Sequence, residues 1–119
     1  MADDREQGWP AVWEAFDQAL ADQEYFLAHE VLETLWRTEH GLRQQAAIWV
    51  AAAFLHWHRG NYRGAERLLG KMRLKCHDLP PQLGEQIDAW SLQLAAQVGD
   101  PIVTAATRQI LIAWAVRDK

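Results

Sequence analysis

The chain reads as an all-α protein, about six helices folded as three antiparallel αα-hairpins in one compact bundle. Three observations predict this. Apolar residues recur every three or four positions along most of the chain. Helix stop and start signals punctuate it at Gly60-Asn61, Pro80-Pro81 and Gly99-Asp100-Pro101. No run alternates apolar and polar residues for long enough to make a strand. The 119 residues suit a single helical domain over 1–119. At that length about two-thirds of the unfolded surface can be buried.

The first helix is expected from Pro10, a favoured first-turn residue, to about Ala21, with Val12, Trp13, Phe16 and Leu20 on one face. The second runs from about Glu24 to Glu39 on a stripe of Tyr25, Ala28, Leu32, Leu35 and Trp36, with Gly41 as its stop. The third, Leu42 to Arg59, is apolar all round in its middle and should lie at the centre. Gly60 ends it. Asn61 caps the fourth, which runs to about His77. The fifth runs from Pro81 to Val98. Asp100, as a cap before Pro101, opens a sixth that reaches about Val116.

A faint repeat accompanies this order. Gln23-Glu24-Tyr25-x-x-Ala28, Gly60-Asn61-Tyr62-x-x-Ala65 and Gly99-Asp100-Pro101-x-x-Thr104 fall 37 and 39 residues apart. Each marks the turn inside one hairpin. The pattern weakly resembles tetratricopeptide-type repeats and supports stacked hairpins.

Composition narrows the function classes. The seven Trp residues suit a core filled with large rings better than an aromatic ligand cage. Cys76 is the only cysteine, so no intrachain disulfide forms. The acidic start of the chain is no signal peptide, and Ala46 to Leu55 is too short to span a bilayer. A cytoplasmic protein with no membrane partner is expected. The net charge of −4 hides an asymmetry. Residues 59–75 hold Arg59, Arg63, Arg67, Lys71, Arg73 and Lys75 against Glu66 alone. Five of these bases recur every four residues and form a ridge. On an acidic chain such a ridge is a weak nucleic-acid footprint.

The residues that architecture explains least are His29, Glu33 and His56. Positions four apart share a helix face, so His29 and Glu33 lie together beside Tyr25 and Trp36. If the second and third helices pack antiparallel, His56 converges on them. Three readings compete. In the first, Glu33 satisfies a histidine in a buried polar network, or pairs with Arg37 at the surface. In the second, Glu33 orients a histidine that binds a ligand or acts as a general base. In the third, His29, Glu33 and His56 hold a divalent metal with an open position. No cofactor is the first expectation and a divalent metal the alternative. His29-Glu30-x-x-Glu33 resembles the zinc-protease helix motif, but Glu33 stands where that motif needs histidine.

At these residues the chain resembles the domain of unknown function 309 family. The resemblance is carried by Phe26-Leu27-Ala28-His29-Glu30-x-x-Glu33-x-x-Trp36-Arg37 and by His56-x-x-x-Gly60-Asn61-x-x-Gly64-Ala65, over roughly residues 20–75. It implies a small all-helical protein and brings no activity with it. The positions it marks are His29, Glu30, Glu33, Trp36, His56, Gly60, Asn61, Gly64 and Ala65. Of these, His29, Glu30, Glu33, Trp36, His56 and Asn61 are the candidate binding residues. The leading function is a binding or adaptor module for a protein or small molecule. A hydrolytic enzyme using His29, Glu33 and His56, with or without metal, is the alternative. Nucleic-acid binding through the ridge is third. A homo-oligomer is compatible with all three.

Overall fold

The computed structural model describes residues 9–99 and 101–118. Among them are six helices and no strand: α1 (Ala11–Ala21), α2 (Tyr25–Glu39), α3 (Leu42–His58), α4 (Tyr62–Lys75), α5 (Pro81–Ala96) and α6 (Ala105–Ala115). The all-α bundle is as expected. Each helix packs on the next, and α6 returns to pack against α1, α3 and α5. That return closes the bundle. In a tetratricopeptide-type array the third hairpin would touch only the second.

α3 touches α2, α4 and α6. Its buried residues run all round the helix, from Ala46, Ala47 and Val50 to Ala53, Phe54 and Trp57. The four alanines at 46, 47, 51 and 53 are fully buried and keep the neighbouring helices close. On α1 the buried face is Trp13, Phe16, Ala19 and Leu20. On α2 it is Tyr25, Ala28 and Leu32, while Leu35 and Trp36 stay half-buried. The stripe therefore opens at its C-terminal end, where α2 borders a cleft. Trp13, Trp49, Trp57, Trp90 and Trp114 are core residues, and Trp9 and Trp36 are partly buried.

Helix ends depart from the expected stops in instructive ways. The α2 stop is His40, left-handed at φ 55°, and not Gly41. His40 N–H donates to the Trp36 carbonyl, which closes the last turn. Gly41 has ordinary φ (−70°) and serves as the α3 N-cap. A Cβ there would meet Asp118 Oδ2 at 2.2 Å, so any larger residue would make the Asp118 carboxylate move. The α5 stop is Gln97, left-handed at φ 55°, so α5 ends two residues earlier than expected. α4 ends at Lys75 because the buried Cys76 turns extended. α6 starts late. Asp100 lies outside the described residues, and the cap is Thr104, whose hydroxyl accepts from Thr107 N–H. The three turns of the faint repeat do share a conformation: Gln23, Gly60 and Gly99 have φ of 59°, 81° and 85°.

Polar contacts tie the hairpins together. Arg108 Nε donates to Asp17 Oδ1 at 2.8 Å, joining α6 to α1. Arg73 binds both oxygens of Asp88, joining α4 to α5. The chain's last described turn caps α3. Asp118 Oδ2 accepts from the backbone N–H of Arg43 at 2.7 Å and of Gln44 at 3.3 Å. A glycine N-cap has no side chain to do this, so a carboxylate from 75 residues away takes the place of one. Arg43 completes the latch by donating to the Trp114 carbonyl and pairing with Asp78. Cys76 lies beside this cluster. Burial pushes its thiol above the usual range, Asp78 and Asp118 push the same way, and Arg43 opposes them. It is an inert buried thiol and not an activated one.

Asp118→Ala should therefore destabilise the protein by about 1 kcal/mol, the cost of a lost helix cap. Denaturant unfolding measures it, and an unchanged midpoint would remove the latch from this account.

Candidate functional site

Two helical stripes meet in one cleft. On α2 the stripe is His29, Glu33 and Trp36, at positions i, i+4 and i+7. On α3 it is Gln45, Ile48, Trp49, Ala52 and His56. Leu68 of α4 contributes the remaining wall. The two-residue connection His40-Gly41 folds α2 back along α3, which sets the stripes opposite one another. The cleft measures about 310 Å³. Ala52 explains its presence, because a methyl group stands there between the larger Trp49 and His56. His29, Glu33, Trp36 and His56 are thus brought together. Glu30 is exposed on the adjoining face of α2, and Asn61 acts on the cleft through His56.

His56 is held by the turn that follows it. Gly60 adopts φ 81°. Its N–H donates to the Trp57 carbonyl at 3.0 Å and that of Asn61 to the His56 carbonyl at 2.8 Å. This is the paired bonding of a left-handed helix stop. Asn61 then caps α4: its Oδ1 accepts from Gly64 N–H at 3.0 Å. With Oδ1 so engaged, the other end of the amide is the NH₂ group. That Nδ2 lies 3.2 Å from His56 Nδ1 and donates to it. The neutral His56 ring therefore carries its proton on Nε2. Gly64 makes the arrangement possible, since a Cβ there would meet Asn61 Nδ2 at 2.5 Å. The Gly-Asn-x-x-Gly spacing, expected to serve packing, also sets a histidine tautomer.

The network expected between Glu33 and the histidines does not form. Among the described residues, no hydrogen bond joins Glu33 to His29 or His56. Glu33 Oε1 instead accepts from Arg37 Nη2 at 3.0 Å, the surface pair that spacing also allowed. Arg37 is 68% exposed, so this pair adds little stability. His29 is half-buried and stacked on Phe26, with ring centroids 6.5 Å apart. Its Nδ1 is buried and has no hydrogen-bond partner among the described residues. Ligand atoms of His29, Glu30 and Glu33 lie within 4.8 Å of one another, and this metal-competent group omits His56. The expected metal set of His29, Glu33 and His56 shares two residues with this group.

The remaining candidates fall outside the cleft or at its rim. Lys71 lies over the Trp49 ring at 5.8 Å, where a cation meets the negative face of the indole. Arg73 is engaged by Asp88. Arg59, Arg63, Arg67 and Lys75 are exposed, with no carboxylate partner among the described residues. His58 Nε2 contacts the Pro101 carbonyl at 3.2 Å. Trp49 and Ala52 share the helix face of His56, as spacing predicts, whereas Gln45, Ile48 and Leu68 were not anticipated as cleft walls. The signal for Gln45 was present, because Gln45, Trp49, Ala52 and His56 fall at steps of four, three and four.

Gly64→Ala tests the tautomer device. Alanine normally favours a helix interior by about 1 kcal/mol over glycine. Here the substitution should destabilise, because its Cβ displaces the Asn61 amide. In the Asn61→Ala background the same change should become stabilising. A stabilising Gly64→Ala in the wild-type background would show that the close approach has no cost.

No curated protein and no solved structure matches the chain. A family model does match, over residues 12–68. The matched span covers α1, α2, α3 and the first half of α4, so it holds every cleft-lining residue and the whole Gly60-to-Ala65 turn. It begins earlier and ends sooner than the 20–75 expected. The chain is thus similar, over the segment that builds the cleft, to the family described as Domain of unknown function (DUF309).

Proposed function

We propose that the protein is a binding module whose cleft between α2, α3 and α4 takes a small organic ligand. What supports this reading is convergence. Two segments separated in the chain, 29–36 and 45–56, place aromatic, imidazole and carboxylate groups around one opening. Its volume lies at the lower end of the range for small-molecule sites. Trp36, Ile48, Trp49, Ala52 and Leu68 offer apolar contact. Gln45, His29, Glu33 and His56 offer a few orienting groups. His56 presents an N–H, so the ligand brings an acceptor oxygen or nitrogen to it.

The hydrolytic alternative needs a general base in the same cleft. With its proton on Nε2, neutral His56 serves as a donor, and His29 and Glu33 are the groups left for that role. The basic ridge is solvated, as nucleic-acid binding requires. It is one face of a chain with net charge −4, and that reading rests on charge alone.

Ala52→Trp fills the cleft from its floor and tests the proposal. A panel of nucleotides, amino acids and carboxylic acids is screened by thermal shift on both proteins. A ligand at 100 times its Kd adds about 2.7 kcal/mol to wild-type stability. Ala52→Trp should fold and lose that shift. Shifts equal in both proteins, or none across the panel, would contradict the cleft as the binding site.

A further inference from the structure

We infer that the turn of α2 bearing His29, Glu30 and Glu33 is a site for a divalent first-row transition metal at the edge of the cleft. The inference takes the cleft from the functional reading, but the metal can bind without the organic ligand.

The donors come first. One imidazole nitrogen and two carboxylates supply a mixed nitrogen and oxygen set whose ligand atoms already lie within 4.8 Å of one another. Bonds of about 2.0–2.2 Å bring adjacent ligands to roughly 3–3.5 Å. Rotamer changes in the two glutamates close that gap, since Glu30 is exposed and Glu33 is held only by Arg37 at the surface. Arg37 engages Oε1 of Glu33, and Oε2 is the oxygen left for an ion. Two carboxylates balance the charge of a dication. An imidazole in the set favours zinc, iron or nickel over magnesium or calcium.

The second observation concerns the histidine of that group. His29 Nδ1 is buried with no partner among the described residues. Leaving a buried imidazole nitrogen without a partner is unfavourable, and coordination at this ring engages it or repositions it. The third concerns His56. The Asn61 contact puts its proton on Nε2, and a histidine binds metal only through a nitrogen free of its proton. His56 is therefore excluded as a ligand while Asn61 caps α4. It lines the same cleft and is left to the organic ligand.

The test is calorimetric titration of chelator-treated, tag-free protein with Zn²⁺, Mn²⁺ and Mg²⁺. One equivalent of Zn²⁺ should bind more tightly than Mn²⁺ or Mg²⁺. His29→Ala, Glu30→Gln and Glu33→Gln should each weaken it at least tenfold, with helicity retained by circular dichroism. His77→Ala, at an exposed histidine elsewhere, and His56→Ala should each change it by less than about threefold. No stoichiometric binding, or binding insensitive to Glu30→Gln, would overturn the site. A tenfold loss in His56→Ala would overturn the assignment of Glu30 over His56. If the metal fails while Ala52→Trp still abolishes ligand stabilisation, the cleft reading stands without it.

Discussion

The Asn61 amide serves two helices at once. Its oxygen receives Gly64 N–H and caps α4, and its NH₂ group reaches back to His56 near the end of α3. Neither contact is free to change alone. A flipped amide would present NH₂ to the Gly64 N–H and oxygen to His56, losing the cap and reversing the tautomer. The left-handed Gly60 places Asn61 there, and the missing Cβ of Gly64 leaves room for it. A turn that reads as helix punctuation therefore decides which ring nitrogen of His56 carries the proton.

The cleft itself follows from the packing of α3. A helix apolar all round must be covered on every side, and α2, α4 and α6 cover most of it. Full cover fails where α2 carries His29 and Glu33 in place of apolar residues and where α3 carries Ala52. Trp36 and Trp49 also line the opening. The opening is thus a consequence of polar residues placed where a closed bundle would have apolar ones.

Much of this was legible in the sequence. The helix order, the central role of the Ala-rich segment and the grouping of His29, Glu33 and His56 follow from period and spacing. The Glu33–Arg37 pair was one of two partners that spacing allowed for Glu33, and only coordinates choose between a surface arginine and a buried histidine. The Gly41–Asp118 cap was not legible, because its partners are far apart in the chain and no periodic signal links them. The stops at His40 and Gln97 were misplaced for a different reason. Glycine is the usual left-handed residue, but here His40 and Gln97 take that conformation ahead of Gly41 and Gly99. Glu30 was marked by the family resemblance and not by spacing, because residues i and i+1 point apart on an ideal helix. Long flexible side chains bring their oxygens together all the same.

The central claim is that Asn61 holds His56 in one tautomer. Long-range ¹H–¹⁵N correlation spectra of the imidazole rings, recorded on wild type and on Asn61→Ala, measure this directly. The account predicts a wild-type His56 with protonated Nε2 and unprotonated Nδ1, and a loss of that fixed state when Asn61 is removed. A wild-type His56 with its proton on Nδ1, or a tautomer mixture unaltered by Asn61→Ala, would contradict it.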